Sequence, residues 1–362
     1  MRILFLPRYG PQGASSRYRI WQYVPMFERA GHEVEVHPLL DDRYVAELYK
    51  TGRRPWRWLV SGYGRRLLNT LHVGNSDAII CEQEVLPFFP GFVDLFFQRR
   101  TPRFFVDYDD NAHMKYSNWP LLRQRIPRIM AAAETVVVGN NHLADYARQF
   151  AQRVCVIPTV VDISSYPDGT NASISDAVRV AWIGTPVTAS LLKALIPVMK
   201  RLQSQHPRLS FRFIGAGRNF TCGGLRAELP EWSEQTESEL LSGCDIGIMP
   251  LPDTEFTRSK CGLKLLQYMA CGLPVVASPV GVNCEIVEEG TNGYLASSDD
   301  EWYDKLDMLI RNAGLRMSLG KAGRAKVASG YTLECGFAKW EEILSGSHTS
   351  SQPSGRVEQC VS

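Results

Sequence analysis

The chain has 362 residues, 44% hydrophobic and 22% charged, with a formal net charge of +2. That is enough apolar material for two ordinary cores of roughly 150–180 residues each, and the near balance of charge removes nucleic acid as an expected partner. Its nine cysteines are scattered and never spaced C-x-x-C, so neither a zinc site nor a disulfide framework is expected and a reducing cytosol fits best. No run of about 18 apolar residues occurs, so no transmembrane helix is expected.

The first strand is expected at Ile3–Leu6, followed by the loop Arg8–Arg17 and a helix over Ile20–Ala30. In that loop Gly10 and Gly13 permit close backbone approach, and Ser15, Ser16 and Arg17 offer polar groups. After a second strand at Glu33–Val36 comes Lys50–Leu71, with six basic residues and no acid, interleaved with Trp56, Trp58 and Tyr63. Such a pattern suits either an interfacial segment on anionic lipid or a solvated helix with snorkelling arginines. Further strands are expected at Ala78–Cys81, Arg103–Asp107, Thr135–Val138 and Val154–Ile157. The fourth of the six leads into Asp107-Tyr-Asp-Asp-Asn-Ala-His113, where Asp110 and His113 are candidates for proton transfer. The Asp-x-Asp spacing also suits a metal–diphosphate site, but no third ligand is evident.

A polar, turn-forming stretch at 166–176 reads as an interdomain linker, and the strand–helix alternation then restarts. The second series has strands at Arg179–Ile183, Ser210–Ile214, Asp245–Met249, Pro274–Ala277 and Gly293–Leu295. Gly184 and Thr185 follow its first strand and suit phosphate contact. Gly215 opens a G-x-G, yet Phe220 stands where a dinucleotide fingerprint needs its third glycine, which disfavours a nicotinamide cofactor. Trp232–Glu239 is a candidate to face a nucleobase. The most informative stretch is Ser259–Ser278, a Lys/Gly loop running into a helix over 263–270 and then a buried strand. Gly262 stands at the helix N-terminus with Leu263 behind it, and Lys260 and Lys264 add charge, so these residues read as a diphosphate clamp. A helix at 332–344 is expected to pack back on the first domain, and 345–362 reads as a disordered tail.

Taken in order, the Gly loop after the first strand, "GHEVEVHPL", "VIPTVVD", "FIGAG", "DIGIMPL", "MACGLPVVAS" and Gly290-Thr-Asn-Gly293 resemble a retaining glycosyltransferase of family 4. The resemblance implies an α/β chain of GT-B fold, two doubly wound Rossmann-like domains facing across a cleft: an N-terminal acceptor domain (1–165) and a C-terminal nucleotide-sugar domain (177–331). It further implies transfer from a nucleotide-diphospho-sugar to a glycan or lipid-linked acceptor with retention, with no metal or cofactor. The setting would be bacterial surface polysaccharide or glycoconjugate synthesis at the inner face of the cytoplasmic membrane. On this reading the donor diphosphate meets Gly13, Gly184, Thr185, Lys260, Gly262, Leu263 and Lys264, while Gly215 and Gln267 serve the ribose or base. Ser15, Ser16 and Arg17 lie on the acceptor side, and Asp110, His113 and Lys264 are the catalytic candidates. The chain departs from the family where many members have Glu-x7-Glu, since Ser259 and Gln267 occupy those places. That departure motivates the alternative of a catalytically inactive scaffold that binds a nucleotide-sugar or glycan.

Overall fold

The computed structural model describes residues 1–69, 76–89, 92–100, 103–167 and 177–346. Residues 168–176 of the expected linker, the tail beyond 346 and the last two residues of the basic segment lie outside the described residues. The chain divides into two compact units: Met1–Thr159 with Ser259–Cys261 and the stretch from Gly336 onward, and Val160–Arg258 with Gly262–Cys335.

In the first unit the strands are β1 (Arg2–Leu6), β2 (Glu33–Val36), β3 (Ala78–Glu82), β4 (Arg103–Tyr108), β5 (Thr135–Val138) and β6 (Val154–Val156). The helices are α1 (Ala14–Arg19), α2 (Val24–Arg29), α3 (Asp42–Thr51), α4 (Trp56–Asn69), α5 (Phe92–Arg100), α6 (Arg125–Ala132) and α7 (Asn141–Ala147). The sheet is parallel in the order β2-β1-β3-β4-β5-β6. Leu4, Leu6, Ile79, Cys81, Val106 and Val136 share one buried cluster, and Phe5 on the opposite face meets Phe27. Burial on both faces explains why these strands read as continuous apolar runs.

The single helix expected over Ile20–Ala30 is instead α1, a 3₁₀ turn at Trp21–Tyr23, and α2. Pro25 sits in the first turn of α2, where its missing N–H costs nothing, and it could not have continued a helix from α1.

The second unit holds β7 (Arg179–Ile183), β8 (Ser210–Ile214), β9 (Ala227–Glu228), β10 (Ile246–Met249), β11 (Val275–Ala277) and β12 (Gly293–Leu295). Its helices are α8 (Ile196–Gln205), α9 (Glu234–Ser242), α10 (Glu255–Arg258), α11 (Leu263–Ala270), α12 (Asn283–Ile286), α13 (Asp299–Arg311) and α14 (Ala313–Gly330). The parallel order is β12-β11-β10-β7-β8-β9. The two-residue β9 escapes the sequence reading because a strand that short carries no periodicity.

The last helix, α15 (Leu333–Ser345), begins in the second unit and continues into the first, where Trp340 and Ile343 are buried and Phe337 meets Phe27 edge-on.

Strand order reverses between β1 and β3 in one sheet and between β7 and β10 in the other. Loops leaving the carboxyl ends of such strands diverge to opposite faces and open a crevice, which is where ligands collect on open α/β sheets.

Candidate functional site

At the β1/β3 reversal the crevice is occupied by side chains. Glu82, the last residue of β3 and 1% exposed, accepts at Oε2 from the Arg8 backbone N–H (2.8 Å) and from Ser16 Oγ (2.5 Å). Its Oε1 lies 2.7 Å from Ser15 Oγ, which is also 2.5 Å from Asp109 Oδ2. Burial and the neighbouring Asp109 push the Glu82 carboxyl up to about 7, against the pull of Ser16, the Arg8 N–H and Ser15.

The next residue, Gln83, is buried and has φ 62°, a left-handed conformation uncommon for a residue other than glycine, asparagine or aspartate. This backbone turns its amide into the middle of the cluster. Gln83 Nε2 donates to Asp109 Oδ1 (3.1 Å) and Asp110 Oδ1 (3.0 Å), while Oε1 accepts from Arg8 (3.1 Å) and Lys115 (2.5 Å). A neutral amide therefore joins an acidic pair to a basic pair. Burial, then Asp109, raises the Asp110 carboxyl, and Lys115, Lys260 and Arg8 hold it back. Burial and Arg8 lower the Lys115 ammonium. Below this layer Arg19 pairs with Asp107 through two hydrogen bonds, both side chains fully buried.

Asp110 is thus held by Gln83, whereas His113 lies flat on Tyr146 of α7, with ring centroids 3.9 Å apart. Gly13 caps α1 and its N–H already donates to Gly10 O (3.0 Å). Ser16 is fully buried between Glu82 and the Tyr9 N–H, and Arg17 lies over the Tyr18 ring. The acceptor role expected of Ser16 is not one that a fully buried hydroxyl can fill by direct contact. Lys260 belongs to the first unit through its tripeptide: Asn140 Nδ2 donates to Ser259 O (2.8 Å) and Lys260 O (3.1 Å), and the Cys261 thiol donates to Asp109 O (3.2 Å). Burial, then Asp109, pushes that thiol up to about 12.

Lys264 belongs to the second unit, so the two lysines of the expected clamp fall in different units. At the β7/β10 reversal Tyr268 of α11 ties the strand ends together, accepting from Ile183 N (2.9 Å) and donating to Ile248 O (3.2 Å). One turn earlier on the same helix, Lys264 Nζ stands 4.2 Å from the centre of the Trp182 ring, a cation–π contact. The same indole closes over Gly184, where a Cβ would come within 2.5 Å of it. Gly215, at φ 72°, packs so closely that a Cβ would sit 2.3 Å from Gly184 O. Gly262 caps α11 at φ 70°, and there a Cβ would meet Ile286 Cδ1 at 2.3 Å.

Gly184, Thr185, Gly215 and Lys264 therefore lie in one neighbourhood, but several of their N–H groups are already used. Gly184 N donates to Ile214 O, Gly215 N to Pro230 O, and Thr185 N to Thr188 Oγ1. That leaves the Lys264 ammonium and the first turn of α11, beginning at Leu263, as the groups of this cluster best suited to an anion. Gln267 is 3% exposed, and its amide donates to Glu237 Oε1 (2.7 Å). Glu237 also accepts from Tyr166 (2.7 Å) and Trp232 (2.6 Å). The amide expected to serve a ribose, and the indole of the segment expected to face a base, converge instead on one buried carboxylate.

Sequence reasoning missed Glu82, Gln83, Lys115 and Glu237. The signal for the first two was present: Glu82-Gln-Glu84 follows a wholly apolar strand directly, a polar strand end at a crevice. Among the described residues no group of three or more His, Cys, Asp or Glu is arranged to hold a metal, and the eight cysteines there are free thiols.

Residues 177–312 match the family described as glycosyl transferases group 1. That match covers the second sheet and its Lys264 cluster. Among curated relatives, D-inositol 3-phosphate glycosyltransferase of Stackebrandtia nassauensis is 25% identical over 260 residues, 61% of this chain and 57% of that protein. N-acetyl-alpha-D-glucosaminyl L-malate synthase of Bacillus anthracis is 29% identical over 108 residues, 29% of this chain and 27% of that protein. The chain spans 56–62% of the length of the inositol-phosphate glycosyltransferases of Stackebrandtia, Corynebacterium, Actinosynnema and Geodermatophilus.

Solved structures cover much more. Sucrose-phosphate synthase from Thermosynechococcus elongatus superposes with a TM-score of 0.73 at 15% identity, over 96% of this chain and 98% of that one. Anabaena HepE, solved with UDP, gives 0.73 at 17% identity over 96% and 100%. The fold is GT-B, two Rossmann-like domains each built on a parallel sheet.

Proposed function

We propose that the chain is a retaining glycosyltransferase of family 4 that moves a sugar from a nucleotide-diphospho-sugar to a glycan or lipid-linked acceptor, in the making of bacterial surface polysaccharide or glycoconjugate. The observation that carries this reading is the Lys264 ammonium held on Trp182 beside Gly184, at a strand-order reversal inside the group 1 match. It is supported by HepE, solved with UDP and with UDP and glucose, and by TarM of S. aureus, solved with UDP.

In the reaction the bond from the anomeric carbon to the diphosphate oxygen breaks, and a bond to the acceptor oxygen forms on the same face. The acceptor proton leaves with the diphosphate. Charge develops on the departing oxygen, so a fixed cation and the first turn of α11 act where the transition state differs most from the bound donor. Neither a metal ion nor a cofactor takes part, and the nucleotide-sugar is a substrate. Asp110 is the group offered to the acceptor hydroxyl, with Ser15 and Arg17 on the same unit.

The test is thermal stabilisation by UDP, GDP, ADP and TDP, each with and without chelator. At a hundredfold excess over Kd a specific ligand adds about 2.7 kcal/mol, roughly 2–4 °C for each kcal/mol in a chain of this order of size. A chelator-insensitive shift with one base supports the reading, and no shift with any of the four overturns it.

A peripheral seat on anionic lipid belongs to the same proposal. On α4 Trp56, Val60 and Leu68 are 67–69% exposed, and on α5 Phe92 and Phe96 are exposed beside Arg99 and Arg100. Several members of the basic segment are committed elsewhere: Arg66 is buried on Pro7 O and His37 O, Trp58 packs on the core and donates to Glu47, Arg57 and Arg65 pair with Glu47 and Asp41, and Tyr63 donates to Pro87 O. Retention on anionic vesicles should therefore fall with Trp56→Ala, and retention equal to the parent removes the membrane from the reading. Among the described residues no helix is long and apolar enough to cross a membrane.

A further inference from the structure

Hydrogen counting at the β1/β3 crevice leads beyond the donor site. Ser15 Oγ carries one hydrogen, yet it sits 2.7 Å from Glu82 Oε1 and 2.5 Å from Asp109 Oδ2. An ionised carboxylate only accepts, so a hydroxyl can satisfy one of two such oxygens and must face the other with no hydrogen between them. The remaining oxygens of both carboxyls are already acceptors: Glu82 Oε2 takes Arg8 N and Ser16 Oγ, and Asp109 Oδ1 takes Gln83 Nε2. A second proton relieves that contact only on Glu82 Oε1 or Asp109 Oδ2, the two oxygens that face the serine.

We propose that Glu82, Ser15 and Asp109 share one proton beyond the serine's own, so that the two carboxyls together carry one negative charge, and that Glu82 acts as a positioning residue setting the charge on Asp109. Proton movement along the trio balances without a co-reactant. Ser15 gives its hydrogen to one carboxylate as it receives the proton of the other, and ends as a neutral hydroxyl.

The groups facing the trio come from several elements. Arg8 and Ser16 come from the first loop and α1, and Asp107 with Arg19 lies beneath. Asp110 and Lys115 reach it through Gln83, with Lys260 and the Cys261 thiol from the tripeptide 259–261. Two full charges at Glu82 and Asp109 would repel across the serine that fastens α1 to β3. The shared proton holds these elements together and limits the negative field on Asp110.

The test uses the full chain and two readouts that do not depend on activity. The first is the infrared carbonyl stretch of protonated carboxyl groups, recorded below pH 7 for the parent, Glu82→Gln, Asp109→Asn and Ser15→Ala. The expected result is a band lost in Glu82→Gln or Asp109→Asn and displaced in Ser15→Ala. Asp94, Asp107 and Asp245 are also raised by burial, so the difference between parent and variant is the signal. The second is the melting temperature against pH. Because Glu82 is raised from 4.5 to about 7, its stabilising effect is present below pH 4.5 and is lost as pH rises through about 7. Glu82→Gln, which mimics the protonated form, should flatten that fall. A band unchanged in position and size in all three variants, or a Glu82→Gln melting profile parallel to the parent's, overturns the proposal. If Glu82→Gln does not fold, the Ser15→Ala band decides alone.

Discussion

The two strand-order reversals share a topology and hold opposite chemistry. Between β1 and β3 the crevice is filled by Glu82, Gln83, Ser15 and Asp109, linked by short hydrogen bonds. At the end of β7 Gly184 packs closely on Gly215, which follows β8, and Lys264 lies on the Trp182 ring. The same backbone plan thus gathers carboxyl, hydroxyl and amide groups in one unit and a lysine on an indole beside glycines in the other. Topology fixes where ligands collect, and the few residues at the strand ends decide what kind.

Lys264→Ala breaks the contrast most severely. Donor turnover should drop about 10²–10³-fold, the usual loss when one preorganised group facing a developing anion is removed, with an unchanged circular dichroism spectrum. Turnover equal to the parent would place the anion elsewhere. Next comes Gly215→Ala, which forces a side chain into φ 72° and against Gly184 O at 2.3 Å, and should lower stability by about 2–4 kcal/mol in a urea titration. The Tyr268→Phe variant leaves the Ile183 N–H without its acceptor at the reversal itself, with an expected loss of about 1–3 kcal/mol by the same assay.

The smallest expected effect sharpens the other half of the comparison. Ser16 donates to Glu82 and holds its carboxyl down, so Ser16→Ala should raise it further while costing about 1 kcal/mol. A carboxyl raised higher when folded keeps its stabilising contribution to a higher pH, so the fall in melting temperature should move to the alkaline side of the parent's. Melting curves between pH 5 and 9 measure the displacement, and a fall at the parent's pH would show that Ser16 does not tune Glu82.

The loop and helix α11 around Lys264 were largely legible because their signals are local. A Lys/Gly loop, an eight-residue helix and a buried strand lie within twenty consecutive residues, and α11 spans Leu263–Ala270 as its apolar spacing indicated. The first-unit cluster was not, because its members come from four separated segments brought together by strand pairing: Ser15 and Ser16, Glu82 and Gln83, Asp109 and Asp110, and Lys115. Nothing in a linear pattern says that Ser15 meets Glu82, 67 residues away. Gln267 fails for a related reason: the residue that claims its amide, Glu237, stands thirty positions earlier on α9.

Helix α15 has a consequence in time. The first unit buries Trp340 and Ile343, receives the Phe337 ring on Phe27, and has Arg103 donating to Leu344 O. Phe337, Trp340, Ile343 and Leu344 are all made after residues 160–335, most of which form the second unit. At about 5–20 residues per second, a ribosome needs on the order of ten to thirty seconds to travel from Thr159 to Gly336. Until Phe337 emerges its ring is missing from Phe27, and by then every strand of the second sheet, β7 to β12, has been made. Domains usually complete in the order they emerge. Here the order is inverted, and the amino-terminal half is the last to close.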